Sequence, residues 1–321
     1  LTEHGPDWEN AMRAIEVVDL RKRYGCQSVL DGVCLSIDEG DFYALMGPNG
    51  SGKSTLSSII ASVTAFDSGR VEIYGKPPEE VKRAIGYVPQ SNFSVAQLTG
   101  RENLLYFAGL LGYTGRQVRE IVDDVLRKVG LSSEAEKRVS RYSGGMKKRL
   151  ELATALFPDV RVLILDEPTT GLDPAARREF LSLVLEVAAR GSSTLLITHL
   201  GTDAESASRV GLIDRGKILA EGSPEGLKAQ HGPDDVIVIE TSAKSDEAAR
   251  IAGEYSADQR VHETPLGYRI CSRDGSQAVS ELVRRFEESG IRVTRSEVSR
   301  PTLEDVFFQL TARKLEEAAT P

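Results

Sequence analysis

The stretch Gly47-Pro-Asn-Gly-Ser-Gly-Lys-Ser-Thr55 limits what this chain can fold into more than any other. It fits the spacing G-x-x-x-x-G-K-[ST], with Gly47, Gly52, Lys53 and Ser54 in the required places. Glycines let the backbone curl until successive N–H groups point inward at a pyrophosphate, and a helix beginning there adds its positive end. On this pattern Lys53 reaches the β- and γ-phosphates and Ser54 offers its hydroxyl to Mg2+. Asn49 and the N–H groups of Gly50, Ser51, Gly52 and Thr55 hold the rest of a triphosphate. A glycine-rich turn that binds nothing can carry the same letters, so context decides. Asp41 to Met46 reads as a short buried strand running into the loop, and Ser54 to Ala61 as the helix that follows.

At 321 residues the chain has room for two domains, or one large domain with an appendage. A net charge of -8 argues against broad nucleic-acid binding, which leaves a basic footprint. No apolar run approaches the roughly 18 residues needed to cross a bilayer, and no signal-peptide pattern opens the chain. The expectation is a cytosolic protein whose membrane role comes through a partner. Cys26, Cys34 and Cys271 are too few and too scattered for a disulfide framework or a zinc site, and read as packing residues.

Residues 1–12 read as a loose leader. Ala14 to Leu20 has strand character, with a turn over Arg21 to Gly25. Val33 to Ile37 and Phe42 to Met46 are expected to pair as a hairpin about Asp38 to Gly40. Short strands follow at 69–75 and 85–90. Over about 91–150 the pattern turns helical, with Thr99 and Thr114 as expected caps and Ser143 capping a further helix. Val160 to Glu167 reads as a central parallel strand, Asp173 and Pro174 open a helix, Thr194 to His199 is another buried strand, and 210–220 is an edge hairpin.

The pattern breaks at His231-Gly-Pro233, which sets the expected domain boundary. Beyond it the order strand, helix, strand (from Arg260), strand, helix, strand predicts a small ferredoxin-like α+β domain over 232–321. A last helix from Thr302 carries Leu303, Val306, Phe307 and Leu310 on one stripe and is expected to pack on that domain. The first domain, 13–231, is expected to be α/β with an antiparallel lobe and a helical insertion.

Two further features bear on chemistry. Asp166 and Glu167 close a buried strand, where Asp166 is placed to hold Mg2+ through water and Glu167 to polarise an attacking water. Neighbouring strand residues point opposite ways, which gives the two carboxylates separate roles. Ser143-Gly144-Gly145 at a helix start is a second anion-binding device. One nucleotide cannot easily occupy both sites of one chain, so this helix end is expected to face the γ-phosphate bound by another subunit.

Taken in order across roughly 14–230, these stretches resemble the nucleotide-binding subunit of an ATP-binding cassette (ABC) transporter. GPNGSGKST resembles the Walker A loop, Gln90 in YVPQ the Q-loop, YSGGM at 142–146 the signature, and VLILDE at 162–167 Walker B. TGLD at 170–173 resembles the D-loop, His199 in ITH the switch histidine, and Tyr24 in KRYG the aromatic that stacks on adenine. The resemblance implies a P-loop domain with a RecA-like core and a head-to-tail pair of such domains sandwiching two ATP molecules. It implies that Tyr24 stacks the base, Gln90 senses Mg2+ and relays to a membrane partner, Asp173 communicates across the dimer, and His199 contacts the γ-phosphate.

The signature departs from the commoner LSGGQ in Tyr142 and Met146, while the serine and both glycines remain. YSGGMKKRL, and PTLEDVFFQLT at 301–311, resemble the branch that pairs with separate membrane subunits to export drugs, antibiotics, lipids or polysaccharides. The implied function is an ATP-hydrolysing motor subunit that uses ATP and Mg2+ and pairs with a second copy. A separate transmembrane permease would hold it at the cytoplasmic face of the membrane, with no nucleic acid involved. Phe93, Arg101, Glu102 and Tyr106 are candidates for the groove that receives that permease. The alternative is a soluble ABC ATPase acting on ribosomes or DNA, but such proteins carry paired cassettes or long coiled-coil arms, and this chain has neither. A sensor role for the second domain is a further alternative, with no ligand-like cluster to support it; support of the dimer is the expected role.

Overall fold

The computed structural model describes residues 12–232, 235–257, 261–272 and 274–319, of which 312–319 by backbone alone. All of the expected 1–12 leader but Met12, Pro233 at the expected break, and Arg260 lie outside the described residues. The chain divides into two compact units between Gly222 and Ser223, earlier than the break expected near Pro233.

In the first unit β1 (Arg13–Tyr24) and β2 (Gln27–Asp38) form an antiparallel hairpin whose tight turn uses Gly25 at φ 58°. β1 also pairs with β4 (Ser68–Ile73), and the three strands make the antiparallel lobe. The expected pairing of 33–37 with 42–46 does not form, because β3 (Phe42–Met46) belongs to another sheet. Every residue of β3 is buried, as a strand covered on both faces requires, whereas β2 mixes buried and exposed positions. Cys26 in the hairpin turn and Cys34 on β2 are exposed, so of the three cysteines only Cys271 is a packing residue.

The second sheet comprises β3, β5 (Ile85–Val88), β6 (Val162–Asp166), β7 (Ser193–Thr198), β8 (Arg209–Asp214) and β9 (Lys217–Gly222), in the order β5-β6-β7-β3-β8-β9. All its pairs are parallel except β8 with β9. Alternation sorts its side chains into two cores. Tyr43, Leu45, Val162, Ile164, Leu195 and Ile197 face the antiparallel lobe and α1 (Lys53–Ile60). Phe42, Leu163, Leu165 and Leu196 join the other core, with α2 (Gly100–Leu110), α3 (Gln117–Lys128), α4 (Gly144–Thr154) and α5 (Pro174–Ala188). Thr99 caps α2 in a reciprocal box with Glu102. Thr114 caps nothing: Gly115 at φ 88° breaks the helical path, and α3 begins behind Arg116 with no side-chain cap. A short helix, α6 (Gly201–Ala204), follows β7.

The second unit holds α7 (Pro224–His231), β10 (Asp235–Thr241), α8 (Asp246–Glu254), β11 (His262–Thr264), β12 (Gly267–Ser272), α9 (Gly275–Glu288), β13 (Val293–Ser299) and α10 (Leu303–Ala319). Its antiparallel sheet has the order β11-β12-β10-β13, the split-βαβ arrangement of a ferredoxin-like domain. Ile237, Ile239, Tyr268 and Ile270 pack under Ile251, Leu282 and Phe286 of α8 and α9. α10 is tied to β12 by Asp305, which takes a bidentate pair from Arg269, Nε to Oδ1 at 3.0 Å and Nη2 to Oδ2 at 2.6 Å, and Leu303 and Val306 are buried. Among the described residues no helix is long and apolar enough to cross a membrane.

Candidate nucleotide site

The phosphate loop leaves the middle of the parallel sheet, where β3 lies between β7 and β8. Backbone crowding explains two of its glycines: a Cβ on Gly47 would stand 2.1 Å from the Ile213 carbonyl, and one on Gly52, at φ 104°, 2.8 Å from that of Val29. Pro48, Asn49 and Gly50 are exposed. Gly52 precedes α1 with no side-chain cap and no acid in the first turn, so the first amides of α1 are left for an anion. Ser51 Oγ is buried there without a partner, and Thr55 is half-buried in the first turn. Lys53, only 4% exposed, donates to the carbonyls of Gly47 and Pro48, both at 2.8 Å. Burial lowers its pKa, against the pull of Glu167 and Asp166 in the opposite direction.

β6 delivers the carboxylates to the same place. Asp166 accepts from Ser54 Oγ at 3.1 Å and from Ser57 Oγ at 3.0 Å. Burial raises its pKa, and those hydroxyls work against the rise. Glu167 turns to different partners: Gln90 Nε2 at 3.0 Å, Thr170 Oγ1 at 3.3 Å, and Lys53 Nζ at 3.9 Å. His199 Nδ1 lies 3.3 Å from Glu167 Oε2, outside hydrogen-bond alignment. Strand alternation is not what separates the two carboxylates. β6 ends at Asp166, and Glu167 sits at φ 48°, a conformation costly for a residue with a side chain.

Lys53, Ser54, Gln90, Asp166, Glu167 and His199 are thus one cluster, and its bonds do not extend to Tyr24, Ser143 or Asp173. Tyr24, at the end of β1, is 53% exposed, with Lys22 Nζ 5.2 Å from its ring centre. Ser143 caps α4 by accepting from Met146 N at 3.2 Å, and Ser143 and Gly144 are exposed. Ideal Cβ atoms on Gly144 and Gly145 would touch Leu172 at 3.8 Å and Ala176 at 3.6 Å, so the start of α4 lies beside the start of α5. Asp173 caps α5 through the amides of Ala175 and Ala176 at 2.9 and 3.0 Å. The departure at Tyr142 has a local cause: its hydroxyl donates to the Glu134 carbonyl at 2.7 Å and fills the space a side chain on Gly100 would need.

Sequence reasoning missed Ser57 and Thr170. Ser57 was findable, since three residues beyond Ser54 on a helix is the same face. It also missed the fully buried Asp203, which accepts from Thr169 Oγ1 at 2.6 Å and Arg177 Nε at 2.6 Å.

A family profile described as "ABC transporter" matches residues 30–170, and a second, described as "ATP-binding protein DrrA1-3-like, C-terminal domain", matches 222–311. The daunorubicin resistance ATP-binding protein DrrA2 of Streptomyces coeruleorubidus is 37% identical over 94% of this chain and 96% of its own length. Nod factor export ATP-binding protein I of Rhizobium sp. (strain N33) is 35% identical over 94% and 98% of the two chains. The linearmycin resistance ATP-binding protein LnrL of Bacillus subtilis (strain 168) is 32% identical over 94% and 99%. Among solved structures, the dimeric post-hydrolysis state of the cassette MJ0796 bound to ADP and Pi superposes with a TM-score of 0.59 at 26% identity, covering 65% of this chain and 98% of that one. A phosphate loop facing two carboxylates at and just past the end of a strand, on a sequence shared almost end to end with these relatives and a fold shared over about two thirds of the chain with a solved cassette, makes the chain an ATP-binding, ATP-hydrolysing member of the ABC transporter family.

Proposed function

We propose that the chain is the motor of an exporter, working as a pair of copies on the cytoplasmic face of a membrane and driving a separate transmembrane subunit. The observation that supports the hydrolytic part most directly is the meeting of Lys53, Gln90, Glu167 and His199 at the mouth of the phosphate loop. The orphaned Ser51 hydroxyl and the uncapped start of α1 fit a triphosphate. Ser54, Asp166 and Gln90 offer hard oxygen donors that fit Mg2+, which would offset phosphate charge. In this reading Lys53 leaves the loop carbonyls for the β- and γ-phosphates. Glu167 takes a proton from water as it attacks the γ-phosphorus, the bond from that phosphorus to the bridging oxygen breaks, and ADP and phosphate result. His199 holds the γ-phosphate, Tyr24 stacks the adenine, and Gly144, Gly145 and Ser143 of one copy, with Asp173, close over the ATP of the other.

Export rests on the relatives, whose names assign them to daunorubicin resistance, linearmycin resistance and Nod factor export. Phe93 and Tyr106 are proposed for the groove that receives the membrane subunit; Phe93 packs edge-on against Phe107, and Tyr106 is half exposed. The ferredoxin-like unit is proposed to support the pair. Glu167→Gln should slow hydrolysis by roughly 10²-fold or more while ATP still binds. Loaded with ATP, that variant should co-purify from solubilised membranes with a polytopic membrane protein. Recovery of ribosomal or other soluble partners instead would overturn the exporter reading and leave the ATPase chemistry standing.

A further inference from the structure

Asp203 is buried, charged and outside every motif the sequence singled out, yet it sits between the two segments that carry the reacting groups. Its Oδ2 accepts from Thr169 Oγ1 at 2.6 Å and from Thr198 Oγ1 at 3.4 Å. Its Oδ1 accepts from Arg177 Nε at 2.6 Å, with the second guanidinium nitrogen 2.5 Å away. Thr169 stands two residues past Glu167, and its carbonyl receives Leu172 N at 3.2 Å, closing the turn that leads into Asp173. Thr198 immediately precedes His199, and its hydroxyl receives Leu200 N at 3.0 Å, pinning the backbone on the far side of the histidine. Arg177 lies one turn into the helix that Asp173 caps, and its own N–H donates to the Asp173 carbonyl at 2.9 Å. One carboxylate thus binds the segments of Glu167, Asp173 and His199 to one another.

We propose that Asp203 is a positioning residue for hydrolysis, holding the His199 segment in register with the Glu167 segment; the proposal rests on the roles given above to those two groups. A carboxylate that only stabilised the fold would need one partner for its charge, and Arg177 supplies it. The two threonine hydroxyls are what the structure adds, and each belongs to a segment bearing a reacting group. Misplacing a reacting group by a fraction of an ångström costs rate rather than affinity.

The test is steady-state ATPase kinetics and ATP binding on the full chain for Asp203→Asn, His199→Ala and the double variant. The expected result for Asp203→Asn is a kcat about tenfold lower with ATP affinity within about twofold of the parent. In the His199→Ala background the same change should cost less than about twofold more, because the residue it positions is already gone. A kcat left within twofold by Asp203→Asn overturns the proposal, and so does a penalty that multiplies in full in the double variant. Full activity of His199→Ala itself would instead sink the role given to the histidine. If Asp203→Asn fails to fold, Thr169→Val and Thr198→Val carry the test: each removes one hydroxyl while leaving the Arg177 pair. A kcat loss of about threefold in each at unchanged affinity is the supporting result, and none in either is the refuting one.

Discussion

Two kinds of helix start occur in the first unit, and the difference between them separates ends that stabilise the chain from ends that have room for something else. α2 begins with a reciprocal cap, Thr99 with Glu102, so its amides and its dipole are satisfied within the chain. α1 begins with Gly52 and Lys53, without a side-chain cap or an acid, and α4 with Ser143 followed by two glycines, with Lys147 just beyond and no acid in the first turn. A lysine at the positive end of a helix is the wrong sign unless an anion arrives. The two anion-type ends also differ from each other. Around α1 the chain supplies its own lysine, carboxylates, glutamine and histidine, while the bonds of that cluster do not reach α4. A complete half-site and an exposed, serine-capped helix end with no such cluster around it, in one chain, are what two copies facing head to tail would need.

The largest expected effect breaks that comparison at its weaker member. Ser143→Arg, on the exposed start of α4, should take ATPase activity to background while one copy still binds ATP with parental affinity, measured on the monomer by fluorescent nucleotide titration. Activity persisting in a monomeric Ser143→Arg protein would mean that α1 alone builds the whole site. Lys53→Ala tests the stronger member. Loss of a charge-assisted contact of about 1.5–3 kcal/mol should weaken ATP binding roughly 10- to 100-fold in the same titration. Unchanged affinity would remove Lys53 from the phosphates.

A third change sharpens the contrast by separating stability from function. Burial raises the Asp166 pKa, so the native state holds its proton more tightly than the unfolded chain does. Stability therefore falls as pH rises from the ordinary value of 3.8 through the raised native one, and the full penalty is present above both. Asp166→Asn should then raise the nucleotide-free Tm at pH 7, by about 2–4 °C for each kcal/mol recovered, while ending Mg2+-dependent hydrolysis. The Tm gain should shrink as pH is lowered toward 3.8. A variant less stable than the parent at pH 7 would show that the bonds from Ser54 and Ser57 outweigh the burial of the charge.

How far these features could be read from sequence depends on the range of the interactions that produce them. The loop at 47–55, the Thr99 cap and the Asp173 cap are set by neighbours within a few residues, and all three stand where the local pattern put them. The ferredoxin-like order of the second unit was legible too, because each of its elements carries its own periodicity. The pairing of β2 was not, since β1 and β3 are both adjacent in sequence and only the two-sided burial of β3 decides between them. Thr114 misled because Gly115 takes a left-handed turn that no cap pattern encodes. Asp203 was invisible for a stronger reason: its partners Thr169 and Arg177 lie 34 and 26 residues away, and nothing local distinguishes it from a solvated acid.

The smallest effect concerns Tyr142, the departure next to Ser143. If the signature wording here were a change in nucleotide contact, replacing the tyrosine would alter ATP turnover. The geometry argues for packing instead: the ring is buried, its hydroxyl reaches the Glu134 carbonyl at 2.7 Å, and Gly100 leaves the space it occupies. Tyr142→Phe keeps the ring and removes one hydrogen bond, which is worth about 1 kcal/mol. The expected result is a Tm lower by about 2–4 °C with ATPase activity within about twofold of the parent. A turnover change larger than that at unchanged Tm would place Tyr142 with Ser143 in the anion-facing end, and would turn the difference between α2 and α4 from one of capping into one that includes the residue before the cap.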